Sequence, residues 1–225
     1  MRTLKLMVST VLAAFAVGAV VANAASAFSF RWHVEGLEAS GQNVEGTGGT
    51  FKLENATVGF AVTCTNVSGT GKVEALGADS SNALSFTGCT TNEPAANKCV
   101  VHSPGKANGT VETEGALTTK LLERETSSKA KVLADEYKPN ATTKKFAVLE
   151  VETEAGGLCA KVGKVNAVTG TVAAEVKNVG NEVEGVFPNP ELKGNTLVAF
   201  GSAAKLTGTA RTKLKAGEGT TLAAV

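Results

Sequence analysis

The run of residues 58–121 constrains the fold more than any other part of the chain. Three of the four cysteines lie in it, each attached to a strand-like run and followed by glycine-rich turn chemistry. Val58, Phe60, Val62 and Cys64 fall on one face of an extended chain, because successive side chains of a strand point to opposite sides. Ser68-Gly-Thr-Gly71 follows, then Leu84-Ser-Phe-Thr-Gly-Cys89, Lys98-Cys99, Ser103-Pro-Gly105 and Asn108-Gly-Thr-Val-Glu-Thr-Glu-Gly115. Short strands separated by turns fit this punctuation; a helix of useful length does not.

The same period of two recurs on both sides of this region. Phe28, Phe30, Trp32 and Val34 alternate with Ser29, Arg31 and His33. Phe51 and Leu53 alternate with Lys52 and Glu54, and Asn55 is placed to turn the chain. Between these runs, Gly36, Gly41, Gly46, Gly48 and Gly49 read as a loose connection. Over residues 117–137 the apolar set Leu117, Leu121 and Leu122 would suit a helix. Thr126-Ser-Ser128 sits where a hairpin would turn, and two strands fit better. Residues 146–154, 168–176 and 206–214 read as later strands, with Pro188-Asn-Pro190 marking a loop or an edge. Gly-Thr pairs at Gly69, Gly109, Gly170 and Gly208 come at unequal intervals, which excludes a fixed-period solenoid or propeller. The expected fold is all-β: one antiparallel β-sandwich or closed β-barrel domain over residues 28–225.

Residues 1–27 have a different character. Arg2 and Lys5 precede an uncharged apolar run over residues 6–21, and Ala22-Asn-Ala24 and Ala25-Ser-Ala27 follow. A basic start, a short apolar middle and an Ala-x-Ala exit make a secretory signal peptide. The run is shorter than the ~20 residues that span a bilayer core. The mature chain is therefore expected to be secreted, extracellular or cell-envelope associated, with no stable membrane span. Loss of Arg2 and Lys5 leaves 20 basic residues against 21 acidic ones. That balance gives no concentrated positive charge to attract nucleic acid.

Cys64, Cys89, Cys99 and Cys159 are an even set in a chain that carries an export signal, so two disulfides are expected. Cys89 and Cys99 bracket a polar loop containing Asn92, Pro94 and Asn97, which predicts a local bridge and leaves Cys64 with Cys159. There is no CxxC pair, and the intervals between the cysteines resemble no zinc site, so no metal is expected.

Cys64 with Gly69-Thr-Gly71, Phe86-Thr-Gly-Cys89, Cys99 with Ser103-Pro-Gly105, and Gly109-x-Val111-x-Thr113 resemble a pattern found in a group of bacterial secreted β proteins of unknown function. The resemblance implies export and a disulfide-bonded β fold, and it brings no catalytic residue. The chain departs from the pattern after Thr113, where Leu117-Thr-Thr-Lys-Leu-Leu122 lacks the glycines and tyrosine of the group.

The catalytic chemistries lack their residues. There is no Gly-x-Ser-x-Gly elbow, and His33 and His102 are the only histidine bases. His102 beside Ser103 reads as a loop pair next to Pro104. Glu112 with Glu114, and Glu150, Glu152 and Glu154, alternate outward as a solvated face would. His33 and Glu35 share a strand face and could hold a metal, but exposed polar positions explain them better. Asp79 and Asp135, the only aspartates, stand alone, and no nucleotide fingerprint is present. Asn55, Asn66, Asn108 and Asn140 open glycosylation sequons.

These features point to an exported, non-enzymatic, disulfide-stapled β domain with a surface, adhesive or envelope-associated binding role, no catalytic residue and no cofactor. Its partner would be a surface glycan or a protein. The alternatives are a secreted carbohydrate-active hydrolase using two glutamates, and an inhibitor or ligand-binding barrel. N-terminal sequencing of exported protein is expected to begin at Ala25 or Phe28; material that still begins at Met1 would overturn the signal assignment.

Overall fold

The computed structural model describes residues 30–139, 141–159, 161–187 and 192–225. The signal segment, Phe28, Asn140 and Pro188-Asn-Pro190 lie outside the described residues. Strands β1 (Trp32–Val34) and β2 (Leu37–Glu38) form a short hairpin. β3 (Gln42–Asn55) then runs antiparallel to β4 (Phe60–Cys64) and β5 (Asn66–Val73) in one continuous register, from Asn55 opposite Phe60 to Gln42 opposite Val73. Along the other side of β4 and β5 lie β6 (Ala78–Ser81), β7 (Ser85–Thr87) and β8 (Thr90–Thr91). β9 (Cys99–His102) and β10 (Thr110–Glu112) precede the hairpin of β11 (Leu117–Glu125) and β12 (Lys131–Lys138). The order continues with β13 (Lys145–Thr153), β14 (Val165–Thr169), β15 (Val172–Val179) and β16 (Glu182–Phe187). It ends with β17 (Val198–Ala199), β18 (Ser202–Ala203), β19 (Lys205–Leu214) and β20 (Leu222–Ala224).

Eight strands close a barrel in the order β3, β5, β6, β11, β12, β15, β16, β19, all antiparallel, with β3 pairing both β5 and β19. Of the two all-β forms expected from the alternation, the chain adopts the barrel. Inward Val44, Val73, Leu121, Val183 and Leu214 are buried, while outward neighbours pair in water, as in Arg211 with Glu184 at 3.1 Å and Lys213 with Glu45 at 3.2 Å. Burying one face and hydrating the other is what the period of two dictates.

The barrel is capped at both ends. The sheet of β2, β1 and β20 packs Trp32, Val34 and Leu222 against Val44, Val73, Leu121 and Leu214. At the other end the five-stranded sheet β18-β17-β14-β13-β9 adds Phe146, Leu149, Val151 and Val168 to a cluster containing Phe51, Val67, Leu117 and Phe187. A bridge between Thr113 and Ala147, and the Glu114 amide donating to the Phe146 carbonyl at 2.6 Å, tie this sheet to the chain just after β10, which pairs with β7.

Three sequence expectations change. Gly46, Gly48 and Gly49 are not a loose connection but the middle of β3. There Gly49 and Thr50 together oppose Thr209, a bulge that bends β3 between its two sets of partners. At this bend the Phe51 ring lies against Gly208, where a Cβ would stand 2.6 Å from the ring. Residues 168–176 are not one strand, because Gly170, at φ 97°, turns the chain from β14 in the capping sheet to β15 in the barrel. Asn55 does end its strand: its Oδ1 accepts from the Val58 amide at 3.1 Å, while Nδ2 donates to the Ala199 carbonyl at 2.7 Å. Those bonds bury it completely.

The third change is the disulfide pairing, which is Cys64–Cys89 and Cys99–Cys159 rather than Cys89–Cys99 and Cys64–Cys159. The reason is register. Val62 faces Thr91, Thr63 faces Thr90 and Asn66 faces Thr87, so the same register sets Cys64 opposite Cys89. Cys99 pairs across to Thr153 of β13, and the turn after β13 brings Cys159 back, its amide donating to Thr153 Oγ1 at 3.0 Å. The bridges close loops of 25 and 60 residues. Non-reducing peptide mapping is expected to return these two links. Replacing either pair by alanines is expected to lower the unfolding free energy in urea by about 3–4 kcal/mol.

Candidate functional site

Cross-strand register assembles a polar row inside the barrel that no local motif announces. Asp79 of β6 faces Thr119 of β11, Thr119 faces Tyr137 of β12, and Tyr137 faces Val172 of β15. Two residues back along β12, Asp135 shares the inward face of Tyr137 and lies opposite Leu121. Trp32 reaches the row from the end cap. Trp32, Thr119 and Asp135 are no more than 5 % exposed. Asp79 keeps some accessible surface, yet its Oδ1 has none, and the residue lines the interior cavity. The two aspartates, which stand alone in the sequence, are thus neighbours in the barrel interior.

Burial dominates the electrostatics of this row. It pushes the Asp79 carboxyl up to about 7, against the opposing effect of the Thr119 hydroxyl and the Trp32 indole N–H, with the Glu74 charge adding to the rise. Asp135 is raised well above the ordinary carboxyl range, first by burial and then by the Asp79 charge. The Tyr137 hydroxyl, beside Asp135, is raised as well, again mainly by burial. Trp32 Nε1, Asp79 Oδ1, Ser81 Oγ, Thr119 Oγ1 and Asp135 Oδ1 are all buried and close no hydrogen bond of ordinary geometry.

Next to the row lies a cavity of about 180 Å³. Phe86, Phe51, Phe187 and Tyr137 form a chain of rings along it. Phe51 meets Phe86 edge-on with centroids 5.7 Å apart and meets Phe187 at 5.5 Å, and Tyr137 tilts against Phe187 at 5.5 Å. Gly46 and Ala210 leave the volume open on another wall. Where β5 passes from β6 to β7, at Gly69 and Thr70, the wall thins and the Leu84 side chain lies over Gly69.

The other residues named from sequence are placed elsewhere. Ser103 Oγ is taken up by the backbone, donating to the Glu112 and Val148 carbonyls at 3.1 Å and accepting from the Glu112 amide at 2.9 Å. His102 does not meet that hydroxyl; it faces Glu150 and Glu152 at 3.7 Å. Glu35 turns out of its strand at φ 53° and accepts from the Thr220 and Thr221 amides, away from any shared site with His33. Among the described residues no three His, Cys, Asp or Glu side chains are placed to hold a metal, and no helix is long and apolar enough to cross a membrane. The missed site did leave one trace in the sequence, since Leu133-x-Asp135-x-Tyr137 sets a carboxylate on the apolar face of a strand.

Asp79 gives stability a pH dependence of unusual sign. The folded carboxyl holds its proton to about pH 7, whereas the unfolded one releases it near 3.8. Between these values the folded state binds the extra proton, so stability falls as pH rises. Glu35, Glu38, Glu93 and Glu152 are shifted downward and act below 4.5, outside that window. Asp79→Asn is expected to flatten the slope and raise stability near neutrality by at most about 4 kcal/mol. Urea denaturation between about pH 4.5 and pH 7.5 checks this; a parent protein whose stability rises over that interval would contradict it.

No protein-family model matches the chain, and no curated protein or solved structure is significantly similar to it.

Proposed function

We propose that the protein is an exported, non-catalytic β-barrel that binds a small, mainly apolar molecule in its interior. The observation that carries this reading is the cavity of about 180 Å³ bounded by Phe51, Leu117, Tyr137 and Phe187. Protein interiors pack to near crystal density with few voids larger than a water. An apolar cavity of about 150 Å³ takes up benzene-sized molecules. Two disulfides and two capping sheets hold the walls in place. Export is supported by the Arg2-to-Ala27 signal pattern and by disulfide bonding itself.

An adhesive or inhibitory role would use a protruding loop. Of the segment between Cys89 and Cys99, residues 90–92 lie along β4, where Asn92 accepts from the Ala61 amide at 2.8 Å and donates to the Gly59 carbonyl at 3.1 Å, and Glu93 is held by Asn97 and by Lys161, each at 2.9 Å. A hydrolase would use two glutamates in a cleft. Glu112 is engaged by Lys106 at 2.7 Å, and Glu152 by Lys164 at 2.8 Å, in outer ion pairs. Both comparisons favour the interior as the binding site.

Toluene is a suitable probe. A Cβ added to Gly46 would stand 3.5 Å from Thr212 Oγ1 and 3.7 Å from the Arg211 carbonyl, both ordinary contacts. Gly46→Leu should therefore fill the cavity without displacing backbone. The parent is expected to bind toluene in calorimetry and to melt at higher temperature in its presence. Gly46→Leu is expected to unfold cooperatively and ignore toluene. A parent that does not bind toluene would defeat this reading.

A further inference from the structure

Resting on the interior-binding reading, we propose that the ligand is an apolar amine whose ammonium group seats against Asp79, beside Ser81. The polar row supplies the geometry. Asp79 and Ser81 line the cavity from the inward face of β6, their Oδ1 and Oγ buried and closing no hydrogen bond of ordinary geometry, while Thr119 of β11 stands behind Asp79. Both atoms are buried, and buried polar atoms of this kind are paired in nearly all native structures. An ammonium group carries three N–H donors and no acceptor, so it can donate to Asp79 Oδ1 and Ser81 Oγ together. The Trp32 indole N–H, itself a donor, faces the Asp79 carboxyl and can hold it from the other side.

Charge selects the amine over other polar heads. The groups facing Asp79 are Asp135, Tyr137 and Glu74, together with neutral donors, and among the described residues no lysine, arginine or histidine lines the cavity. A negative charge buried without a counter-ion is costly, and a bound cation supplies the missing partner. An alcohol would fill the hydrogen bonds but leave the charge uncompensated. A carboxylate would set a second negative charge against Asp79. The remainder of the molecule then lies among Phe51, Leu117 and Phe187, where its contacts are apolar.

Four probes of one shape separate these heads: toluene, benzyl alcohol, benzylamine and benzoate, titrated calorimetrically into the disulfide-bonded protein. Benzylamine is expected to bind at least tenfold more tightly than toluene at about pH 8, with benzoate weakest. Because the ammonium must displace the Asp79 proton at lower pH, benzylamine should lose about tenfold in affinity between about pH 8 and pH 6, while toluene stays constant. In Asp79→Asn, toluene affinity is expected to persist and the preference for benzylamine to vanish.

Toluene binding with no preference for benzylamine would overturn the amine assignment and leave the cavity reading standing. No binding of any probe would overturn both. A preference that survives Asp79→Asn would remove Asp79 from the site. Should that variant fail to fold, benzylamine binding by the parent near pH 6.5, measured in two buffers of different ionisation enthalpy, must show proton release; equal heats would overturn the proposal.

Discussion

The seam between β3 and β19 is the interaction on which the rest of the molecule depends. β3 reaches β5 on one side and β19 on the other, so that single strand turns a sheet into a closed wall. Closure removes edges that would otherwise present unpaired amides and carbonyls. It also excludes water from the interior, which is what makes Asp79 and Asp135 unusual acids rather than surface ones. The bulge at Gly49 and Thr50 lets one strand do both jobs, because its first half belongs to the barrel and its second half, with β4 and β8, continues past it. Phe51 stands at this bend and reaches both Phe86 and Phe187.

The interior joins two environments that normally avoid each other. One end holds rings and aliphatic chains around an open volume; the middle holds two carboxyls, a phenol, an indole N–H and two hydroxyls with incomplete hydrogen bonding. Such a row opposes folding and persists only because a rigid, capped wall surrounds it. Strain or poor solvation that the rest of a structure tolerates is most often found where a protein binds something. The ion pairs of the outer surface carry none of this tension, since water screens them and each is individually weak.

Much of the fold was legible in the sequence. Alternation placed Trp32, Val34, Phe60, Val62 and Cys64 on buried faces, and Thr126-Ser-Ser128 located the turn between β11 and β12. What could not be read was pairing between distant strands. Cys64 finds Cys89, and Asp79 finds Asp135, through registers set by whole strands rather than by neighbours in sequence. The glycines misled for a related reason. At Gly46 and Gly48 glycine signals a crowded or open inner wall, and only the assembled barrel distinguishes that from a flexible linker.

The position of the seam also sets the order in which the molecule can assemble. Val44 pairs with Leu214, so β3 is made early in synthesis and its last partner arrives near the end of the chain. Contacts of such long sequence separation form slowly, because loop-closure entropy must be overcome before they contribute. Until then β3 has only the local hairpin with β4 and β5 to protect it, and its other edge is open to foreign strands. The Cys64–Cys89 link joins the end of β4 to the start of β8 and closes a short loop, so oxidation can lock β4 against β8 while the barrel is still open. Aggregation during refolding should accordingly be governed by how long β3 waits for β19, and an early oxidised hairpin shortens the stretch of chain left exposed in that interval.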